Sequence, residues 1–155
     1  MVLILVKLPT LTLSSATPVD TLTRQERSER MARVRGKDTR PEMALRRALH
    51  RLGYRYRLHS RTLPGRPDLV FPGRRKVIFV HGCFWHRHCG CKLARLPKSR
   101  PEFWVPKLEG NALRDARNLR AVTEMGWDAF VLWECEVARI GNHLDRITTF
   151  LGPIR

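Results

Sequence analysis

The sequence predicts an α/β fold in which a mixed β-sheet is flanked by helices. Three observations carry that expectation. Short, wholly apolar runs of strand length stand at Val77-Ile78-Phe79-Val80 and Ala129-Phe130-Val131-Leu132-Trp133, with a long stretch of helical pattern between them. Two capping-box patterns, Thr23-Arg24-Gln25-Glu26 and Thr39-Arg40-Pro41-Glu42, open helices upstream. Turn signals at Leu63-Pro64-Gly65 and Pro72-Gly73 bracket a further short strand.

Taken in order, the elements run helix, helix, strand, strand, strand, helix, strand, helix. The 155 residues suffice for one domain that buries a core without disulfide staples, read here as residues 21–155. Residues 1–20 stand apart. Their opening apolar run resembles a signal peptide only faintly: Lys7 falls inside it, no basic segment precedes it, and it is too short to span a bilayer. With the polar stretch Ser14 to Asp20 behind it, this segment is read as a disordered extension or as a start codon assigned upstream. The first helix, 21–36, is very basic and closes near Gly36. The second buries Met43, Leu45, Ala48, Leu49 and Leu52, and Gly53 stops it. Tyr54 to Leu58 alternates like a half-buried strand, Asp68 to Phe71 forms the next, and Val77 to Val80 the third. A basic loop, Leu93 to Arg100, leads through Phe103-Trp104 into a helix from about Val105 to Met125, capped by Gly126. A strand ending at Glu134-Cys135 follows, then a short helix from His143 to Phe150.

Charge narrows the class of partner. Thirty Lys and Arg against 14 Asp and Glu give a net charge of +16, which suits a protein that meets a polyanion, most commonly nucleic acid. A ribosomal or merely adhesive basic protein has the same balance, so charge alone does not make an enzyme. The excess of arginine over lysine favours bidentate contacts to phosphate or guanine. The composition excludes global disorder, and no apolar run is long enough for a membrane span.

Chemistry concentrates in one stretch, His81-Gly82-Cys83-Phe84-Trp85-His86-Arg87-His88-Cys89-Gly90-Cys91. It holds three of the four cysteines of the chain and three of its six histidines. Such a cluster suits zinc in a reducing cytoplasm better than disulfides. Zinc takes four sulfur or imidazole ligands, and the set chosen is Cys83, His88, Cys91 and Cys135, the last arriving from the end of a neighbouring strand. The site is closed and therefore structural. Cys89 and Cys91 compete for one place, which spacing leaves open.

Asp68, entering an apolar hairpin, is costly unless a cation compensates it. Next to it the strand ending in Val80-His81 delivers a backbone carbonyl, so Mg²⁺ would take the Asp68 carboxylate, the Val80 carbonyl and waters. If His88 ligates zinc, His86 is free to act as a base toward water, with His81 nearby. Phe84, Trp85 and Trp104 are large rings beside basic segments and suit stacking on bases or wedging between them, while Phe103 reads as part of a small core around the zinc.

These residues carry a resemblance. Leu63-Pro64-Gly65-Arg66-Pro67-Asp68, Val77 through His86, Glu102-Phe103-Trp104 and Trp133-Glu134-Cys135 together resemble the very short patch repair (Vsr) DNA mismatch endonucleases, over about Thr23 to Ile140. The resemblance implies a restriction-endonuclease-like core and hydrolysis of one DNA strand beside a T·G mismatch left by deamination of 5-methylcytosine. It implies Asp68 as the catalytic Mg²⁺-binding carboxylate with the Val80 main-chain carbonyl, His86 as catalytic base, and His81 and Asp115 as polar partners. Phe84, Trp85 and Trp104 would enter the duplex, and Met31 would meet the minor groove. It repeats the zinc set Cys83, His88, Cys91 and Cys135. It further implies double-stranded DNA as partner, a functional link to a cytosine-5 DNA methyltransferase and mismatch-repair factors, and a monomer in the cytoplasm. Two departures stand out. Cys89 is an additional cysteine, and no Asp/Glu-x-Lys follows Asp68, so a histidine takes the role of that lysine. Other readings are a restriction or defence nuclease of the same core, and a zinc-stapled DNA-binding module without catalysis.

Overall fold

The computed structural model describes residues 23–33 and 36–154. The expected extension, residues 1–20, lies outside them. Among the described residues one four-stranded sheet runs in the order β1 (Arg57–Leu58), β2 (Leu69–Phe71), β3 (Lys76–His81), β4 (Asp128–Trp133). The first three strands are antiparallel neighbours. β3 and β4 are parallel, joined across helix α3 (Pro101–Glu124), so the sheet is mixed as the sequence predicts.

Alternation along β3 divides the core between two faces. Ile78 joins Leu69, Phe71 and Leu132 under helices α2 (Arg40–Arg51) and α5 (Leu144–Leu151), against Leu45, Leu49, Ile147 and Leu151. Val77 and Phe79 face the other way, onto Val70, Leu63 and Val122 of α3. A strand covered on both faces must be apolar throughout, which is why 77–80 shows no polar alternation. Both capping boxes form. In α1 (Arg24–Ala32) the Thr23 amide donates to Glu26 Oε2 at 2.7 Å, and the Thr39 amide and hydroxyl both donate to Glu42 Oε1.

The structure departs from the sequence reading at element edges. Tyr54 and Tyr56 turn their rings edge-on to Phe71 instead of extending a strand, which leaves only Arg57–Leu58 paired. Leu52, expected inside, is 38% exposed because the helix ends there. Helix α3 starts at Pro101, four residues early, since proline suits the first turn, and Phe103 and Trp104 therefore ride on a helix. β4 stops at Trp133, and Glu134–Val137 forms a short helix, α4, so Cys135 sits in a helical turn. The last helix is entered through a 3-10 turn, Ile140–His143.

Candidate active site and metal centre

The parallel pairing of β3 with β4 sets the geometry. Its register places His81 beside Trp133, so both strands end at one edge and the residues that follow, Gly82-Cys83 and Glu134-Cys135, emerge together. The loop after β3 coils tightly: the amides of His86 and His88 donate to the Gly82 and Cys83 carbonyls at 3.1 and 3.0 Å. Gly82 permits this, because a Cβ there would stand 3.3 Å from the Trp85 ring.

Cys83, His88, Cys91 and Cys135 bring one ligand atom each within 4.8 Å of one another. His88 Nδ1 lies 3.4 Å from Cys83 Sγ and 3.5 Å from Cys135 Sγ. A tetrahedron with zinc–sulfur bonds has edges of about 3.8 Å, so this donor set fits zinc. Cys89 is exposed and outside the set. Burial above all pushes the Cys83 thiol up to about 12, so binding a metal there would release its proton. Trp133 stacks on His88 at 4.0 Å, fixing the plane of the imidazole.

Asp68 precedes β2 and accepts a hydrogen bond from the Val80 amide at Oδ2, 2.7 Å. Burial raises its carboxyl to about 6 against the opposing pull of that amide, and the charge of Glu42 adds to the rise. No ion pair among the described residues neutralises it, so a hard cation is the group that fits beside it. On the other side of Val80, His81 lies flat against His86, ring centroids 4.0 Å apart and planes 10° from parallel. His86 Nδ1 lies 2.5 Å from Asp115 Oδ2 on α3. Burial first, and then neighbouring His86, depress His81 to about 4, which keeps it neutral at physiological pH.

One cleft of about 1110 Å³ joins these groups. Asp68, Val80, His81, His86, Trp85 and Met31 all line it, and Lys37, Arg40, Arg61, Arg66 and Arg114 share its wall with Asp38, Glu42 and Glu134. At its rim the rings of Phe84, Trp85 and Trp104 meet one another at 5.0 to 6.1 Å. Phe103 is 42% exposed on that platform, which corrects its assignment to a small core.

Two residues of this region escaped the sequence reading. Glu42 registered there only as a helix cap, yet it is buried, lines the cleft, and acts electrostatically on Asp68. Lys107 holds its ammonium 5.2 to 5.8 Å from the rings of Phe103, Trp85 and Trp104. Its spacing of three from Trp104 is the available signal, which a helix beginning at Val105 conceals.

Residues 19–92 match the family model of the DNA mismatch endonuclease Vsr. Over 134 residues, 86% of this chain and 98% of the relative, the chain is 50% identical to the type II nicking enzyme V.XorIIP of Xanthomonas oryzae pv. oryzae. The chain belongs to the Vsr family. It is also 42% identical to the DNA mismatch endonuclease Vsr of Escherichia coli over 109 residues, 70% of this chain and 69% of that protein. To the type II nicking enzyme V.NmeAIP of Neisseria meningitidis it is 37% identical over 136 residues, 88% of this chain and 96% of the relative. The Vsr family match contains Asp68, His81 and His86 but ends before Trp104, Asp115 and Cys135, which the fold carries back to the same region. No helix among the described residues is long and apolar enough to cross a membrane.

Proposed function

We propose that this Vsr-family protein is a DNA endonuclease that nicks one strand beside a T·G mismatch arising from 5-methylcytosine deamination, so initiating very short patch repair. The observation that carries the reading is the opening of a half-buried carboxylate, Asp68, and an Asp115-anchored imidazole, His86, onto one cleft whose wall carries five Lys and Arg and whose rim carries aromatic rings. The name of the Escherichia coli relative supports the mismatch, and the names of the other relatives support nicking.

Each residue then has a task. Asp115 accepts the Nδ1 proton of His86, which leaves Nε2 as the base that takes a proton from water. His81, neutral and stacked beneath, keeps the ring in place without a competing charge. Held by Asp68 and the Val80 carbonyl, Mg²⁺ would supply Lewis-acid polarisation of the scissile phosphate. Zinc held by Cys83, His88, Cys91 and Cys135 would tie the catalytic loop to α4. Phe84, Trp85 and Trp104 enter the duplex, where unstacking costs a few kcal/mol and least at a weak pair, which adds selectivity. Met31 on α1 faces the minor groove, and the basic segments at 21–36 and 92–100 grip phosphates on either side. In this reading residues 21–155 act as one domain with a restriction-endonuclease-like core, working as a monomer in the cytoplasm alongside a cytosine-5 methyltransferase and mismatch-repair factors.

One gel tests it: matched, T·G and other mismatched duplexes, each with Mg²⁺ and with EDTA. A single nick beside T·G that needs Mg²⁺ is the expected result. Cleavage of matched DNA at a fixed sequence would instead mark a restriction or defence nuclease, and salt-sensitive binding with no product under any divalent ion a non-catalytic DNA-binding module.

A further inference from the structure

Asp38, Glu42 and His59 bring two carboxylates and an imidazole within 4.8 Å of one another on the cleft wall. That donor set suits a divalent cation, yet a cation of the chain itself stands among them. Arg46, 6% exposed on α2, donates to Asp38 Oδ1 at 2.5 Å, to Glu42 Oε2 at 3.0 Å and to His59 Nε2 at 3.0 Å. With a 3.4 Å bond from Nη1 to Met43 Sδ, all four bonds come from its two terminal nitrogens, while Nε is buried without a partner. The guanidinium is therefore placed by its acceptors and not by its own satisfaction. Arginine only donates, so His59 accepts through Nε2 and carries its proton on Nδ1. The Glu42 carboxylate also holds the backbone: Asp38, at φ +54°, donates its amide to Glu42 Oε2 at 3.0 Å.

We propose that Arg46 is a positioning residue whose guanidinium stands in for a second cation. It keeps divalent ions out of the Asp38–Glu42–His59 cluster and holds Glu42 in place beside Asp68. The role in turnover rests on reading this cleft as the nuclease site; the exclusion of ions does not.

The test counts Mn²⁺ bound per chain in the DNA-free protein by electron paramagnetic resonance, and follows nicking kinetics in the same variants. Arg46→Met should bind one more Mn²⁺ than the wild type, and adding His59→Ala should remove the extra ion. Its kcat should fall by about tenfold to a hundredfold with KM for the duplex little changed, since displaced supporting groups cost orientation more than binding. Arg46→Lys should recover part of that loss, because an ammonium keeps the charge without the fork. An unchanged Mn²⁺ count in folded Arg46→Met overturns the proposal. Should that variant fail to fold, nitrogen-15 NMR of the wild type decides: His59 protonated on Nδ1 supports it, and protonation on Nε2 overturns it. Asp68→Ala in the same assay separates the two readings, because retained nicking there would remove the nuclease site and leave the ion count to judge Arg46.

Discussion

His81 and His86 stack face to face, 4.0 Å between ring centroids, and of the two it is His86 that is hydrogen-bonded to Asp115. The pair divides labour by environment. Buried His81 is held neutral, while the Asp115 carboxylate orients His86 with Nε2 free. Replacing His86 by Ala should lower kcat roughly 100- to 10,000-fold with duplex affinity retained. Single-turnover nicking beside a binding assay checks this, and unchanged turnover would remove His86 as the base.

Asp115 acts through His86. Asp115→Asn should keep the hydrogen bond as a neutral one and permit the wrong tautomer, so kcat should fall, with KM steady, by less than in His86→Ala. A fall equal to that of His86→Ala would mean that the carboxylate does more than orient.

Asp68→Ala should bind duplex as the wild type does and lose nicking by on the order of 1000-fold or more. It should also raise stability in the metal-free protein at neutral pH, since a half-buried carboxylate held above its usual range by desolvation is removed. Nicking with Mg²⁺ at the wild-type rate would sink the assignment.

Cys135→Ser should lose zinc and lower the melting temperature, because a metal held by this set would join the loop after β3 to α4. Cys89→Ser should keep both, Cys89 being exposed and outside the cluster. Metal content and thermal melts of the two variants decide between Cys89 and Cys91, and equal loss in both would refute the ligand set.

Trp85→Ala and Trp104→Ala should each weaken binding to mismatched duplex, by about 1 to 3 kcal/mol per stacked base, and change matched duplex less. Lys107→Met, beside both rings, should reduce the salt dependence of binding by about one phosphate contact. Equal losses on matched and mismatched duplex would assign the rings to the core.

Local signals were enough for much of this protein. Both capping boxes, the doubly covered strand at 77–80, the Cys/His cluster at 83–91 and the Asp68 hairpin are written in short stretches, because caps, apolar runs and ligand spacing act within a few residues. Contacts across the chain had to be decided by the fold. Spacing could not choose between Cys89 and Cys91; in the fold the turn after His88 brings Cys91 into the cluster and leaves Cys89 exposed. Nor could it show that Asp115, 29 residues from His86, would be carried onto its imidazole by α3, or that Arg46 would fill an acidic cluster assembled from α2 and a later turn. Those pairings depend on strand register and helix placement, which arise from the packing of the whole sheet and its two cores.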